Sequence, residues 1–273
     1  MITALLNDER VHASQMENRT LNYRCPSCGR HTILVKGKMK VHHFRHEAKC
    51  ECDFYGETVN HAIAKEWLFK KLSMCEEVEC VEAECTRFDG IRPDIAFKYH
   101  GVWGGIEFQK SAITHHEVQM RTLRYYAANV RILWVITDDI YKKAFHPGEI
   151  KLSRQIRDFI QLHDSLFAFT GDRIRAIKYN NVWRDDYFDR DFEYQLQTVF
   201  TVNSWKNITL NDLYVQEKTV SLDGIKNEYG FTQTVKLPHL ICTDDDGFIK
   251  FDSKDFGFDV RNNEWYERGE EAC

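Results

Sequence analysis

The stretch "GIRPDIAFKYHGVWGGIEFQKS", residues 90–111, decides how the fold is interpreted. It has the pattern of two short strands joined by a turn at His100 and Gly101. Side chains alternate between the two faces of a strand, so each of these strands has one apolar and one polar face. If the strands pair antiparallel through that turn, Asp94 and Glu107 come together on a single polar surface.

Two carboxylates on one surface predict a site for a hard divalent cation. Magnesium prefers oxygen ligands and takes only one or two protein carboxylates while it keeps several waters. Asp94 and Glu107 are therefore the predicted magnesium ligands, with Mn²⁺ as the alternative ion. Such an ion activates water for phosphodiester hydrolysis and stabilises charge on the leaving group.

A helix is predicted upstream over residues 58–72, where apolar residues recur at helical spacing. Glu57, His61 and Lys65 are four residues apart and share one stripe of this helix, which we expect to face the same metal. Simpler interpretations exist, since Glu57 also favours a helix start and Asp94 can cap the turn after a proline. Three carboxylates on a helix and two strands favour a shared site.

The order of predicted elements is helix, three strands, helix, strand. The second helix is predicted over residues 114–129, and the continuous apolar run at residues 130–137 predicts a buried strand. Arg121 and Tyr125, four residues apart on the second helix, predict either a phosphate clamp or a stacked structural pair. Residues 165–273 predict a β-rich module.

Cysteines and histidines form a second candidate site. Cys25 and Cys28 are spaced C-x2-C around a proline, and His43 and His46 follow as H-x2-H. This set predicts a tetrahedral zinc site, which would be structural because four protein ligands leave no open position. Three nearby side chains are substitutes: His42, Cys50 and Cys52.

The composition is that of an ordinary globular protein, with 273 residues of which 43% are hydrophobic. No apolar run approaches the ~20 residues that span a bilayer, and the first residues lack a signal pattern. We therefore expect a cytoplasmic protein with no membrane partner. The nine cysteines are unevenly placed, which predicts reduced thiols, some of them bound to metal.

Charge is unevenly distributed, and the net charge of −5 excludes a uniformly basic nucleic-acid coat protein. Residues 24–49 hold seven Lys or Arg against one acid, whereas residues 241–273 hold ten acids against four bases. The basic segment could contact phosphates and the acidic segment could not. Both could equally be solvated faces.

Six motifs follow one another along residues 2–137: "YRCPSCG", "HFRH", "GETVNHAIAK", "RPDIAF", "IEFQKSAI" and "RTLRYY". Together they resemble the competence protein CoiA family, and "RPD" with "IEFQKS" resembles the wider PD-(D/E)XK nuclease superfamily. The resemblance implies an α/β fold with a restriction-endonuclease-like core of αβββαβ order behind an N-terminal zinc-finger-like lobe. The β-rich C-terminal module lies outside the resemblance and is predicted from the residue pattern alone. It also implies a bacterial protein linked to DNA uptake and recombination.

The resemblance assigns roles to individual residues. It implies that Asp94 and Glu107 bind the catalytic metal. It also implies that Glu57 and His61 act from the helix and that Gln109 fills the third motif position.

Gln109 departs from the lysine that the superfamily usually has at this position. An amide can orient water but cannot supply positive charge. Lys110 is the neighbouring lysine, yet strand alternation places it on the apolar face. Lys98, on the same face as Asp94, and Lys65 on the helix are therefore the better candidates for the missing cation.

These inferences predict three domains: a zinc-binding lobe over residues 1–54, a PD-(D/E)XK nuclease-like domain over residues 55–164 and a β-rich module over residues 165–273. The predicted function is that of a Mg²⁺-dependent endo- or exodeoxyribonuclease in bacterial DNA processing, recombination or defence. The alternative is a catalytically silent nucleic-acid-binding module that kept the nuclease fold and the zinc finger. DNA is the expected partner, and the C-terminal module could also dock a protein.

Overall fold

The computed structural model of this chain shows a mixed α/β protein. It describes residues 1–36, 41–49, 52, 59–137, 149–150, 152–186, 195–226, 232–242, 249–250, 256–259 and 264–267. Within these residues the helices are α1 (Val59–Ser73), α2 (His115–Ala127) and α3 (Arg154–His163). The strands are β1 (Thr3–Leu6), β2 (Glu9–His12), β3 (Tyr23–Arg24), β4 (His31–Val35), β5 (His43–His46), β6 (Val78–Ala83), β7 (Ile95–Tyr99), β8 (Val102–Gln109), β9 (Val130–Ile136), β10 (Glu149–Ile150), β11 (Leu166–Phe169), β12 (Ile174–Asp186), β13 (Gln195–Asn207), β14 (Leu213–Lys226), β15 (Thr232–Cys242), β16 (Ile249–Lys250), β17 (Phe256–Asp259) and β18 (Glu264–Glu267).

The chain divides into two compact units. The first consists of Met1–Phe108 and Arg124–Leu133, and the second of Gln109–Leu123 and Trp134–Cys273. Strands β8 and β9 contribute residues to both units. The sheet formed by β1 to β5, helix α1 and strands β6 and β7 all belong to the first unit.

The first unit begins with a five-stranded antiparallel sheet in the order β2-β1-β3-β4-β5. Strand β4 illustrates the pattern, because Thr32 and Leu34 are buried, whereas His31, Ile33 and Val35 are exposed or half-buried. This alternation is typical of a sheet that is buried on one face only. The buried face packs into one core, which consists of Met1, Ala4, Ala13, Tyr23, Cys25, Leu34 and Phe44.

The same unit contains the antiparallel strands β6, β7 and β8, with α1 in contact with β6 and β7. Ala64, Leu68 and Leu72 are buried on α1. Their spacing of four residues places them on one face of the helix. The helix predicted over residues 58–72 is confirmed, with each bound shifted by one residue.

The hairpin of β7 and β8 has the predicted turn. His100 and Gly101 form it, with φ angles of 46° and 78°. A two-residue turn with both residues in the left-handed region matches the twist of the flanking strands, and glycine adopts this region without strain.

The register of the hairpin is also as predicted. Ile95 of β7 pairs with Ile106 of β8. Asp94, which directly precedes β7, therefore stands opposite Glu107. The two carboxylates singled out from the sequence therefore lie at the same level of the hairpin, Asp94 just before β7 and Glu107 on β8.

Close packing brings the end of α2 and the start of β9 against this hairpin. A Cβ atom at Gly105 would lie 3.2 Å from Cε1 of Tyr125 and 3.1 Å from Cγ1 of Val130. A larger residue at this position would push the aromatic ring away. Gly105 and Glu107 lie on the same face of β8, so the Tyr125 ring that packs on Gly105 lies next to the Glu107 side chain.

The second unit contains both parallel and antiparallel strand pairs. The end of β9 pairs in parallel with β11, where Phe167 is opposite Val135. Strands β11, β12 and β13 then pair antiparallel, and β10 and β16 each pair with β13. The rings of Trp134 and Phe159 stack with centroids 5.3 Å apart and pack α3 into this unit. Strand β11 follows directly on the domain boundary predicted near residue 165.

The elements around the hairpin follow the order α1, β6, β7, β8, α2 and β9. This is the predicted order of helix, three strands, helix and strand. In the part of the chain that the structure describes, no helix is both long and apolar enough to cross a bilayer.

Candidate functional site

Three cysteines and one histidine form a cluster beside the five-stranded sheet. The ligand atoms of Cys25, Cys28, His46 and Cys52 all lie within 4.8 Å of one another. Nε2 of His46 is 3.3 Å from Sγ of Cys28 and 3.6 Å from Sγ of Cys52. Sulfur and nitrogen ligands around a tetrahedral zinc ion are about 3.3–3.8 Å apart, so this set fits zinc.

Cys52 takes the place predicted for His43. Strand β5 runs from His43 to His46, and residues three apart on a strand point to opposite faces. Nδ1 of His43 lies 2.9 Å from the carbonyl oxygen of Val41 instead. The fourth member of the cluster is therefore corrected from His43 to Cys52, which the sequence offered only as a substitute.

Burial affects the two kinds of ligand differently. It raises the pKa of the Cys25 thiol to about 12, although backbone N–H groups of the turn act in the opposite direction. A cation at the site favours the thiolate and opposes the effect of burial. Burial lowers the pKa of His46, which favours the neutral imidazole that a metal ion requires.

The carboxylate of Asp94 is contacted by three groups. Nε2 of His61 lies 2.8 Å from Oδ2, and the backbone N–H of Phe108 donates to the same oxygen at 2.9 Å. Nζ of Lys65 lies 3.8 Å from Oδ1. The structure thus brings together the predicted strand carboxylate and two residues of the predicted helix stripe.

Burial alone would raise the pKa of Asp94, but its surroundings reverse the direction. The charge and hydrogen bond of His61, the charge of Lys65 and the N–H of Phe108 lower this pKa to about 2. Asp94 is therefore an anion at neutral pH, which is the form that binds a divalent cation.

Lys65 is a buried cation. Its side chain is 2% exposed, and Nζ donates to Oε1 of Glu84 at 2.6 Å. Lys98, the other candidate for the missing motif lysine, is partly exposed, and its Nζ lies 2.8 Å from Oε2 of Glu79. Of these two lysines, Lys65 is the one that the structure places beside Asp94.

Glu107 is buried and hydrogen-bonded to α2. The hydroxyl of Tyr125 donates to Oε1 of Glu107. Arg121 has a different environment, with its guanidinium carbon 4.8 Å from the centre of the Trp134 ring. Of the two α2 residues considered as a clamp or a stacked pair, Tyr125 contacts a predicted metal ligand and Arg121 stacks on an aromatic ring.

Asp94 and Glu107 fit Mg²⁺ in number and in chemistry, because this ion takes one or two protein carboxylates and completes its shell with water. Among the described residues, the Cys/His cluster is the only group of three or more ligand-type side chains whose atoms lie within 4.8 Å. His61 therefore does not join the two carboxylates in a second cluster of that kind. Its contact is with Asp94.

Gln109 ends β8 with its amide oriented by the next loop. Nε2 of Gln109 donates to the carbonyl oxygen of Ser111 at 2.6 Å. Gln155 of α3 donates to the same carbonyl at 3.2 Å. The carbonyl oxygen of Ser111 needs a donor, so the amide of Gln109 is oriented with its nitrogen toward Ser111. Its oxygen, Oε1, then remains as an acceptor. Lys110 lies just beyond the strand.

Sequence reasoning missed Glu84 as a partner of the site. In "VECVEAEC" it has the pattern of a solvent-facing acid, yet it is buried and paired with Lys65. The signal that could have indicated Glu84 was Lys65, which lies among the buried residues of α1. A buried cation needs an acidic partner, so an acid nearby in the fold was to be expected. Glu57 lies outside the described residues, so its role stays a prediction.

Fold and sites define a mixed α/β protein with a Cys/His cluster that could bind a metal. Residues 57–218 match the model of the competence protein CoiA nuclease-like domain, and residues 5–55 match that of the CoiA N-terminal domain. The chain belongs to the competence protein CoiA family, as its motifs indicated. Comparisons with curated proteins and with solved structures gave no match.

Proposed function

We propose that this chain is a metal-dependent DNA nuclease that hydrolyses phosphodiester bonds. Its nuclease-like family and the order α1, β6, β7, β8, α2, β9 support a PD-(D/E)XK core. The observation that carries the proposal is the anionic Asp94 at the head of β7, opposite Glu107 and contacted by His61 and Lys65 of α1.

Asp94 and Glu107 are the residues that would hold Mg²⁺ or Mn²⁺. A bound ion supplies an activated water and stabilises the charge on the leaving oxygen. His61 keeps the Asp94 carboxylate in place through its contact of 2.8 Å, and Tyr125 does the same for Glu107. Ligands that are fixed by neighbouring protein groups need little reorganisation during the reaction.

Lys65 supplies the positive charge that Gln109 cannot. Its ammonium is buried 3.8 Å from Asp94, so it stabilises negative charge on the scissile phosphate through its electrostatic field and without direct contact. Gln109, whose amide nitrogen is bound to Ser111, presents its carbonyl oxygen and orients the attacking water by accepting a hydrogen bond. Glu57 would act on the same metal site from just before α1.

DNA is the proposed substrate. Arg24, Arg30 and Arg45 are exposed in the N-terminal lobe, here the five-stranded sheet with its Cys/His cluster, and their charge suits phosphate groups. Zinc in the cluster would stabilise the lobe. The acidic residues 241–273 repel phosphates, so we propose that this segment docks a protein partner instead.

A nucleic-acid-binding module without turnover is the second candidate function. Two observations favour it: Gln109 stands at the motif position where the superfamily has lysine, and the ammonium of Lys65 is already paired with Glu84. A module of this kind would bind DNA and leave it intact.

The two candidates are separated by incubating the full chain with single- and double-stranded DNA in Mg²⁺ or Mn²⁺. A nuclease cleaves DNA in either ion, loses cleavage in a chelator, and loses it again in the Glu107→Ala variant. Binding without cleavage under all of these conditions would support the silent module.

A further inference from the structure

Glu84 has an unusual position at the end of β6. It is 1% exposed although it is ionisable, and its φ angle is 51°. Residues other than glycine seldom adopt the left-handed region, and acids are seldom fully buried unless they are paired. A residue kept in such a conformation is held there by its surroundings, and such residues cluster at functional sites.

The Glu84 carboxylate is saturated with donors. Oε1 accepts the backbone N–H of Ile2 at 3.0 Å and Nζ of Lys65 at 2.6 Å. Oε2 accepts the backbone N–H of Thr3 at 3.0 Å and also accepts the Thr3 hydroxyl. A carboxylate offers about four acceptor sites, and each of the four has a donor here. The burial of this charge is therefore compensated, and two of its partners belong to the segment that opens β1.

Arg10 secures the same junction through the backbone. Its Nη1 donates to the carbonyl oxygen of Glu84 at 2.7 Å and to the hydroxyl of Thr3 at 3.1 Å. Its Nη2 donates to the hydroxyl of Thr86 at 2.9 Å. The backbone N–H of Glu84 donates to the carbonyl oxygen of Asp94 at 2.7 Å. Glu84 is thus hydrogen-bonded both to strand β1 and to Asp94.

Lys65 depends on this junction for its position. Its Nζ is 2.6 Å from Glu84 but 3.8 Å from Asp94, which is within ion-pair range and too long for a hydrogen bond. Glu84 therefore fixes where the ammonium lies next to Asp94. A lysine has a flexible four-carbon stem, so its ammonium would move without such a partner.

We propose that Glu84 is a positioning residue for Lys65, and that β1 completes the arrangement by donating to the Glu84 carboxylate. The proposal rests on the proposed nuclease function, because the place of Lys65 matters for turnover only if a phosphodiester is cleaved. It makes the N-terminal lobe part of the catalytic arrangement. Loss of the Thr3 contact lowers turnover and leaves DNA binding intact.

The test compares four variants of the full chain. Glu84→Gln keeps the shape but brings one acceptor oxygen and an NH₂ group into a pocket of donors. Thr3→Val is milder, because it removes one donor and keeps the backbone N–H, while Thr3→Ser keeps the hydroxyl. Glu82→Gln is the matched control on the same strand, since Glu82 bonds Arg87 near the surface.

Two readouts are needed. Steady-state cleavage of DNA in Mg²⁺ separates kcat from KM, and acetylation of lysines read by mass spectrometry reports whether Lys65 is protected. We expect kcat to fall about 100-fold in Glu84→Gln and about 10-fold in Thr3→Val, with KM nearly unchanged in both. Acetylation of Lys65 should rise about tenfold in the same two variants, because the local opening that exposes the ammonium becomes easier. Thr3→Ser and Glu82→Gln should match the wild type.

The acetylation readout also separates this proposal from the nuclease proposal. Wild-type protein that cleaves no DNA would overturn the nuclease, and the protection of Lys65 would still decide the role of Glu84. Lys65 that stays equally protected in Thr3→Val and Thr3→Ser, with equal kcat for both, would overturn the positioning role. If Glu84→Gln does not fold, the two Thr3 variants carry the test.

Discussion

At the scale of single residues, Tyr125 fixes Glu107 without adding charge. Tyr125→Phe keeps the ring packed against Gly105 but removes the hydroxyl that donates to the carboxylate. Loss of a group that orients a metal ligand costs about 10- to 100-fold in metal affinity or activity, so the Mg²⁺ concentration needed for cleavage should rise by such a factor. Cleavage rates over a Mg²⁺ titration measure this, with Tyr126→Phe, a change at the adjacent half-buried tyrosine of α2, as the control. An unchanged titration for Tyr125→Phe would contradict the role.

Asp94 makes stability depend on pH in a defined direction. Its pKa falls from an ordinary 3.8 to about 2 on folding, so its ionised form stabilises the folded state above pH 3.8. This contribution is lost as pH falls through the folded value. Urea unfolding of metal-free wild type and Asp94→Asn should show a difference in free energy that shrinks between about pH 4 and pH 2. A difference that stays constant over this range would contradict the pKa.

Gln109 and Lys110 are neighbours with different expected effects. Gln109 is buried with its amide bound to Ser111, and Lys110 follows the last residue of β8. Gln109→Ala should slow cleavage roughly 10²- to 10³-fold, the usual effect of losing one preorganised polar group, and Lys110→Ala should be much milder. Single-turnover rates of both variants provide the measurement. An inactive Lys110→Ala beside an active Gln109→Ala would reverse the two assignments.

Glu84 shows where prediction from single residues ends. The face to which a strand residue points follows from its place among the adjacent residues, and the turn sets which residues are opposite. Both are local, so the position of Asp94 opposite Glu107 could be predicted. The burial of Glu84 depends on donors from Ile2 and Thr3, which are 82 and 81 residues away in the chain. No local pattern carries that information.

At the scale of elements, β5 decides the membership of the Cys/His cluster. His43 and His46 are its first and last residues and point to opposite faces, so Cys52 completes the cluster. Cys52→Ser should lower bound zinc well below the one equivalent expected for the wild type, because a hydroxyl is a poor substitute for a thiolate. His43→Ala should retain one equivalent. Elemental analysis of freshly purified protein measures both, and zinc lost only in His43→Ala would restore the set predicted from the sequence.

The two sites differed in how far the sequence could specify them. The β7–β8 hairpin was predictable because its two-residue turn fixes the register of both strands. The H-x2-H spacing suggested a ligand pair because a turn or helix could bring both imidazoles to one ion. In the structure, residues 43–46 form a strand, which places the two imidazoles on opposite faces. This strand could not be predicted, because it has too few apolar residues to show an alternating pattern.

At the scale of the whole molecule, the Cys/His cluster, α1 and the two hairpin carboxylates all belong to the first unit. The predicted boundary near residue 165 came from a change in pattern toward short strands. In the second unit β11 pairs with β9 at that point, and the nuclease-like match runs on to residue 218. The pairing of Val135 with Phe167 joins strands that are more than 30 residues apart in the chain, so it is not visible in local periodicity.

The central claim is that Asp94 and Glu107 form a metal-dependent site for cleaving DNA. The most direct measurement is the single-turnover cleavage rate in Mg²⁺ for wild type, Asp94→Asn and Glu107→Gln, with DNA affinity measured on the same preparations. Both variants keep their shape and lose the negative charge that a metal ligand needs. We expect cleavage by the wild type, loss of cleavage in both variants, and DNA affinity in both variants close to that of the wild type. Equal cleavage by wild type and either variant, or no cleavage by the wild type in Mg²⁺ or Mn²⁺, would contradict it.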